Sequence, residues 1–294
     1  MIPKRRRTLR PRFHMSPRLP PVMIIDSHCH AGKGDGLTGP WDTNANLDKY
    51  LRRASTAGIG RTVLLPAFHS NYSEANRRLA AIVARDRNRF YGYAMVHAER
   101  DAGRIATMVR EAVEGYGFCG IKVHRHDARI TREICEVARA YTLPVLYDVM
   151  GESSVIELLA GEYPDVDFII PHLGSFADDW RAHMAVIDQL VRHANIYTDS
   201  SGVRRFDFLV EAIRRAGPRK VLYGTDGPWL HPALELEKIH LLGLSQNDEQ
   251  LVLAGNFLRL TSRVRRAPSS VASFPAAPLY RPAAADPWIA TKLS

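Results

Sequence analysis

The chain of 294 residues is long enough to form one large domain or two ordinary ones around a full hydrophobic core. Its hydrophobic fraction of 46% excludes a mostly disordered protein. No apolar run approaches the roughly 18 residues that a membrane-spanning helix needs, so we expect no membrane partner. Cys29, Cys119 and Cys135 are too few for a disulfide framework, which indicates a reducing compartment, and we expect a cytoplasmic protein.

The formal charge of +9 suggests a nucleic-acid partner, but this charge is concentrated at the two ends of the chain. Residues 1–22 hold seven basic residues and no acidic one, residues 263–294 hold five and one, and residues 23–262 hold 28 and 30. The ends also contain ten of the 18 prolines, which predicts flexible tails around one domain at 23–262. A transit peptide, a twin-arginine signal, a solvated tail and a true start at Met15 or Met23 are alternatives for the N-terminal tail. The solvated tail or later start is favoured, because five prolines oppose an amphipathic helix and no apolar segment follows the arginines.

Short apolar, β-branched segments alternate with longer segments of helical period in the middle of the chain. Strands are predicted at 22–26, 62–66, 90–96, 120–124, 145–148, 168–172, 195–199 and 221–225. Helices are predicted near 46–58, 73–87, 101–117, 131–141, 152–163, 178–193, 204–216, 232–243 and 247–260. Eight strand–helix units in about 240 residues predict an α/β fold of the (β/α)8 TIM-barrel type. An open doubly wound sheet is the alternative, but no glycine-rich phosphate loop follows the first strand.

Ionisable side chains stand at the ends of these strands, where a barrel places its active site. They are Asp26, His28, His30, His124, Asp148, His172, Asp199 and Asp226. Residues i and i+2 of an extended segment project to one side, so His28 and His30 can reach one ion together. Burying so many ionisable groups without a shared partner is costly, and imidazole and carboxylate groups are ligands of zinc and similar divalent ions. The pattern therefore predicts a divalent metal site.

Five segments carry a resemblance to a known family. They are IIDSHCH at 24–30, GIKVH at 120–124, IPHLG at 170–174, VLYGTDGPW at 221–229 and AGNFLRL at 254–260. Together they resemble the amidohydrolase superfamily, and within it the amidohydrolase-2 branch, in the same order over residues 23–262. The resemblance implies a metal-dependent (β/α)8 hydrolase, with decarboxylases among the members. It also implies that His28 and His30 are metal ligands, that His172 is a ligand or a catalytic group, and that Asp226 is a ligand that shuttles a proton.

The chain departs from the family pattern at the end of the fifth strand. The family usually has a ligand histidine there, whereas this chain has Asp148. Asp148 is then either a metal ligand or a hydrogen-bond partner of a ligand imidazole. Zinc is the favoured ion, with manganese and iron as alternatives, because a carboxylate selects less sharply among them. Lys122 shares a strand face with His124, and it either carries a carbamate, as in some binuclear relatives, or pairs with a carboxylate or a substrate anion.

These residues predict a hydrolase in which a metal-activated water attacks an amide, a lactone or an ester of a small substrate, and a carboxylated substrate is one alternative. Asp226 would move the proton of that water, and His172 or His124 would stabilise the developing oxyanion. The candidate substrate-binding or supporting residues are Lys122, His124, Arg125 and Trp229. A non-oxidative decarboxylase on the same metal site is the alternative, and binding of nucleic acid or an acidic surface by residues 4–18 is a distant one. We expect a small-molecule partner rather than nucleic acid, and a homo-oligomer stays open.

Overall fold

The structure is a computed structural model that describes residues 22–38, 44–176 and 178–266. The predicted N-terminal tail lies outside the described residues except for Val22, and the predicted C-terminal tail lies outside them beyond residue 266. Within the described residues, no helix is both long enough and apolar enough to cross a membrane.

The strands of the described chain are parallel, apart from one short antiparallel strand. Their bounds are β1 Ile25–Lys33, β2 Asn44–Ala45, β3 Arg61–Pro66, β4 Phe90–Gly92, β5 Ala94–Met95, β6 Ile121–His124, β7 Val145–Asp148, β8 Phe168–Ile170, β9 Ile196–Asp199 and β10 Val221–Leu222. β1 pairs with β3 and β3 with β4, while β5 to β10 pair in chain order. The short β2 pairs antiparallel with the end of β1.

Two seams join these strands into a barrel. Tyr93 alone separates β4 from β5, so these two act as one barrel strand between β3 and β6. At the other seam, the segment after β10 bonds to β1: the Asp226 N–H donates to the His28 carbonyl at 2.8 Å, and the His30 N–H donates to the Gly227 carbonyl at 2.6 Å. Eight parallel barrel strands result, which confirms the predicted (β/α)8 TIM barrel.

Helices connect the strands and cover the outside of the barrel. Their bounds are α1 Leu47–Thr56, α2 Tyr72–Val83, α3 Ile105–Arg110, α4 Arg132–Tyr141, α5 Ser154–Glu162, α6 Trp180–Arg192, α7 Phe206–Ala216, α8 Pro232–Leu241, α9 Gln246–Gln250 and α10 Asn256–Thr261. A π-helical segment, Leu251–Gly255, joins α9 to α10, and a second one follows α3 at Glu111–Tyr116. The helices are amphipathic: α4 buries Ile134, Ala138 and Tyr141, which share one helix face.

The interior of the barrel is a separate apolar layer. Inward-facing strand residues such as Val63 and Leu146 pack there against Phe257 of α10. The Asn256 side chain donates to the Val221 carbonyl at the start of β10, which holds α10 across the amino-terminal end of the barrel. Because this end is filled by apolar groups, the inward-facing polar side chains lie towards the carboxyl ends of the strands.

The ends of β1 and β8 differ from the prediction, and both lie at the polar end of the barrel. β1 continues to Lys33 instead of ending at Asp26, because its pairing with β3 and with the segment after β10 extends past His30. β8 ends at Ile170 instead of residue 172, because Pro171 has no N–H to continue the sheet.

Candidate metal centre

His28 and His30 lie within β1 and present the same ring nitrogen to one point. The His28 Nδ1–H donates to Asp199 Oδ2 at 2.8 Å, and the His30 Nδ1–H donates to the Pro66 carbonyl at 2.9 Å. Each Nδ1 faces an acceptor, so each Nε2 keeps a lone pair. Burial also lowers the pKa of both imidazoles, which favours the neutral, ligating form.

Asp226 completes a set of three converging donor atoms. Its Oδ1 lies 3.5 Å from His28 Nε2 and 3.5 Å from His30 Nε2. Two ligand atoms about 2.1 Å from one ion at a near-tetrahedral angle are about 3.4 Å apart, so the set fits a zinc-like ion. His28 Nε2 is buried and has no hydrogen bond among the described residues, as expected of an atom that faces a metal ion. Three protein ligands leave a coordination position open for water or substrate.

His172 stands beside this set on the turn that follows β8. Its φ of 59° is left-handed, a conformation that is uncommon for residues other than glycine and that clusters at functional sites. The Nδ1–H donates to the Ser201 carbonyl at 2.8 Å, and Nε2 lies 3.4 Å from Asp148 Oδ2. Burial opposes a charge on this imidazole, but Asp148 and other nearby carboxylates outweigh burial and raise the pKa of His172 to about 9.

Asp148 lies between two imidazoles and outside the set of three converging atoms. Its Oδ2 is 3.2 Å from His124 Nε2 and 3.4 Å from His172 Nε2. His124 Nδ1 accepts the His126 N–H, so the Nε2 of His124 carries the proton that faces Asp148. Burial raises the pKa of Asp148, but the two imidazoles outweigh it and hold the pKa well below its usual range. Asp148 thus contacts two imidazoles that lie outside the three-atom set, and its role as a metal ligand or as a hydrogen-bond partner stays a prediction.

Asp199 and Ser201 hold the imidazoles of His28 and His172 in position through hydrogen bonds. The Ser201 hydroxyl donates to Asp199 Oδ1 at 2.6 Å, and Asp199 Oδ1 also accepts the His172 N–H at 3.0 Å. Burial raises the pKa of Asp199, but His28 and the other donors outweigh it and lower the pKa to about 2. The position of Asp199 at a strand end is visible in the sequence, whereas no pattern marks Ser201, whose carbonyl and hydroxyl act from a loop.

A cavity of about 310 Å³ opens above these groups at the carboxyl end of the barrel. Its lining consists of His28, His30, Phe68, Lys122, His124, Asp148, Met150, His172, Ser175, Phe176, Asp226 and Trp229. The ring of Trp229 lies 4.8 Å from that of His30, and Lys122 is only 1% exposed. Arg125 does not line the cavity, because its guanidinium pairs with Glu152 at 3.2 Å.

The buried carboxylate of Asp26 joins β1 to the segment after β10. These two segments carry the converging donor atoms. It accepts the N–H of Thr225 at 2.9 Å, the hydroxyl of Thr225 at 2.6 Å and the N–H of His28 at 3.1 Å, and the Tyr50 hydroxyl donates to it as well. Burial nevertheless raises the pKa of Asp26 to about 7, against the effect of these four hydrogen bonds. Asp26 therefore holds the seam between β1 and the segment after β10.

Comparison with solved structures shows the same fold. A 2,6-dihydroxybenzoate decarboxylase from Rhizobium has a TM-score of 0.65 at 16% identity, over 82% of this chain and 98% of that chain. A dihydroxybenzoic acid decarboxylase from Polaromonas, solved with manganese and 2-nitroresorcinol, has a TM-score of 0.64 at 18% identity, over 82% and 97%. A probable 2-pyrone-4,6-dicarboxylic acid hydrolase from Acinetobacter baumannii, solved with citric acid, has a TM-score of 0.64 at 14% identity, over 81% and 99%.

The sequence comparison reaches the family level. No curated protein matches this chain. The model of a family described as Amidohydrolase, the amidohydrolase-2 branch, matches residues 25–260, which include all the converging donor atoms. Because this match spans most of the chain, the protein belongs to the amidohydrolase family that the sequence motifs predict.

Proposed function

We propose that this chain is a metal-dependent hydrolase that cleaves a C–N or C–O bond of a small substrate, namely an amide, a lactone or an ester. The observation that carries the proposal is the convergence of His28 Nε2, His30 Nε2 and Asp226 Oδ1 at the floor of a cavity. Water is the nucleophile in this proposal, and it can reach the set from the cavity, where the side chain of Asp226 is 13% exposed.

His28, His30 and Asp226 are the groups that would hold a divalent ion in this proposal. An ion bound there supplies Lewis acidity, which polarises a carbonyl and lowers the pKa of a water. Two imidazoles and one carboxylate suit zinc, manganese and iron alike, and zinc is favoured for a tetrahedral hydrolytic site. Manganese is the ion bound in the Polaromonas decarboxylase structure.

Two side chains move or hold protons in the proposed reaction. Asp226 takes the proton of the attacking water and returns it to the leaving group. The pKa of His172 is raised to about 9, first of all by Asp148 among the carboxylates, and its ring lines the cavity, where a protonated imidazole can stabilise a developing oxyanion. Asp148 favours the protonated form of His172 and faces the Nε2 of His124.

A non-oxidative decarboxylase is the second candidate, and the observation that favours it is the position of His172, which lines the cavity with its Nε2 facing Asp148. When a C–C bond to a carboxylate breaks, the electron pair stays on carbon and CO2 leaves. The Nε2–H of His172 can then protonate that carbon. The same metal-site residues serve both reactions.

An assay of two products separates these candidates. Metal-free protein is reloaded with zinc, manganese or iron and incubated with small lactones, amides, esters and hydroxybenzoates. Acid release is followed in a pH-stat and CO2 by trapping. We expect metal-dependent acid release without CO2, whereas CO2 release without hydrolysis would establish the decarboxylase and contradict the hydrolase.

Two asparagine variants test the site. Asp226→Asn should lower kcat by about 10²–10⁴-fold while the metal-free protein keeps its melting temperature. Asp188→Asn is the matched control, because Asp188 pairs with Arg215 on the surface, away from the cavity. Full activity in Asp226→Asn, or equal activity with and without metal in the wild type, would contradict the proposal.

A further inference from the structure

The first part of the loop between β9 and α7 is buried, which is unusual for a connecting segment. Ser200, Ser201, Gly202 and Val203 are all shielded from solvent. The Ser201 carbonyl accepts the His172 Nδ1–H at 2.8 Å, and the Ser201 hydroxyl oxygen lies 3.0 Å from the same Nδ1. The position of this loop therefore decides where the ring of His172 points.

A buried loop needs hydrogen-bond partners for its backbone groups, and two side chains of α8 supply them. The Gly202 N–H donates to Glu235 Oε2 at 2.9 Å. Lys238 Nζ donates to the Val203 carbonyl at 3.1 Å and to the Ser200 carbonyl at 3.4 Å. The two side chains also pair with each other, with Nζ 2.5 Å from Oε2. α8 thus holds the loop at three backbone groups.

Glu235 lies on the inner face of α8, where an amphipathic helix normally presents apolar side chains. It is 7% exposed, beside the buried Leu236 and close to Ile239 of the same helix face. Apolar side chains in place of a buried ion pair often leave stability unchanged or raise it, so stability alone does not account for this pair. Burial raises the pKa of Glu235, while Lys238 and the Gly202 N–H favour its carboxylate form. The contact with Gly202 needs an acceptor oxygen rather than a charge, and a glutamine also has one.

We propose that Glu235 and Lys238 are positioning residues for His172. By holding the loop 200–203 they fix the Ser201 carbonyl, which keeps the His172 Nδ1–H bonded. The Nε2 of His172 then faces Asp148 at the cavity wall. The inference rests on the proposed function for the role of His172, and it extends the site to two residues of α8.

Solvent exchange of imidazole N–H protons tests the proposal in metal-free protein labelled with ¹⁵N-histidine. His172→Gln identifies the Nδ1–H signal of His172 by its loss. The Nδ1–H groups of His30 and His183 are internal references. Both imidazoles are buried, and they donate to the carbonyls of Pro66 and Leu173, outside the loop 200–203.

Three variants are compared with the wild type at one pH. Glu235→Leu removes the acceptor of the Gly202 N–H, whereas Glu235→Gln keeps an oxygen at that place. Glu237→Leu, at an exposed position of the same helix, is the matched control. We expect the His172 Nδ1–H to exchange about tenfold faster, or more, in Glu235→Leu, because a buried backbone group of its loop has lost its partner. Glu235→Gln and Glu237→Leu should exchange within about threefold of the wild type, and so should both reference protons in every variant.

Two results would overturn the positioning role. One is exchange at His172 that Glu235→Leu leaves unchanged. The other is an equal acceleration at His172 and at both references, because a general loss of stability moves all three protons together. If Glu235→Leu does not fold, Lys238→Met carries the same expectation, since it removes the donor to the Val203 carbonyl. The measurement uses neither metal nor substrate, so a protein without hydrolase activity counts against the proposed function and leaves this test intact.

Discussion

Asp199 fixes the ring of His28, and replacement of Asp199 by asparagine tests this role. Asp199 Oδ2 accepts the His28 Nδ1–H at 2.8 Å. Oδ1 accepts the His172 N–H at 3.0 Å, the Ser201 N–H at 3.1 Å and the Ser201 hydroxyl at 2.6 Å. Because these three donors require an acceptor, the amide oxygen of Asp199→Asn takes the place of Oδ1, and its NH2 group faces His28.

An NH2 group beside Nδ1 reverses the tautomer of His28. Nδ1 then accepts a hydrogen bond, and Nε2 carries a proton that points at the metal site instead of a lone pair. Loss of such a supporting partner typically lowers metal affinity by about 10–100-fold. The reversed tautomer places the expected loss for Asp199→Asn at the upper end, about 100-fold, which is about 2.7 kcal/mol.

Competition between the protein and a chromophoric chelator for zinc measures this loss. Asp188→Asn, the surface variant of α6, should bind zinc like the wild type. The melting temperature of each metal-free protein separates a defect in metal binding from a defect in folding. A zinc affinity of Asp199→Asn within threefold of the wild type would refute the reasoning about the tautomer.

Three further predictions concern the ion, the seam and the cavity wall. Removal of metal by a chelator should abolish activity and lower the melting temperature, since an ion at 100 times its Kd stabilises the fold by about 2.7 kcal/mol; calorimetry with and without zinc measures this. The pKa of Asp26 is raised to about 7 from an unfolded value of about 3.9, so the folded state binds the extra proton and the free energy of unfolding falls as pH rises from about 4 to about 7. Asp26→Asn should remove this fall in urea unfolding of metal-free protein at pH 5 and pH 8. Gly202 has a φ of 65°, and a Cβ there would lie 2.5 Å from Phe176, so Gly202→Ala should destabilise the protein by about 1–3 kcal/mol in urea unfolding, whereas Gly161→Ala, in open space, should not.

The sequence predicts the barrel well because buried parallel strands and their connecting helices have recognisable sequence patterns. A buried strand reads as an apolar run, as β8 does, and each crossover needs a helical segment. The ends of the strands are harder to predict, since side-chain contacts decide them. The sequence predicts a strand through Thr225, but regular pairing ends at Leu222, and the Thr225 hydroxyl and N–H bond to Asp26 instead.

The site is predictable where local spacing sets it. His28 and His30 are two residues apart on one strand, and that spacing alone places both rings on one side. The pairing of Asp148 with His124 and His172 depends on the register of β6 against β7 and on the turn after Pro171. Neither the strand register nor the turn geometry can be read from the order of the residues. The sequence therefore leaves the role of Asp148 open.

The charges of the cavity link metal binding to substrate binding. Asp148, Asp199 and Asp226 contribute three formal negative charges, and His172, whose pKa is raised to about 9, contributes one positive charge. The cavity with its supporting carboxylate is therefore anionic, which favours a divalent cation. A bound divalent ion offsets this negative charge, so an anionic ligand meets less repulsion in the cavity than it does without the ion. The ion and an anionic ligand then strengthen each other's binding by the same factor, because coupling between two sites is reciprocal.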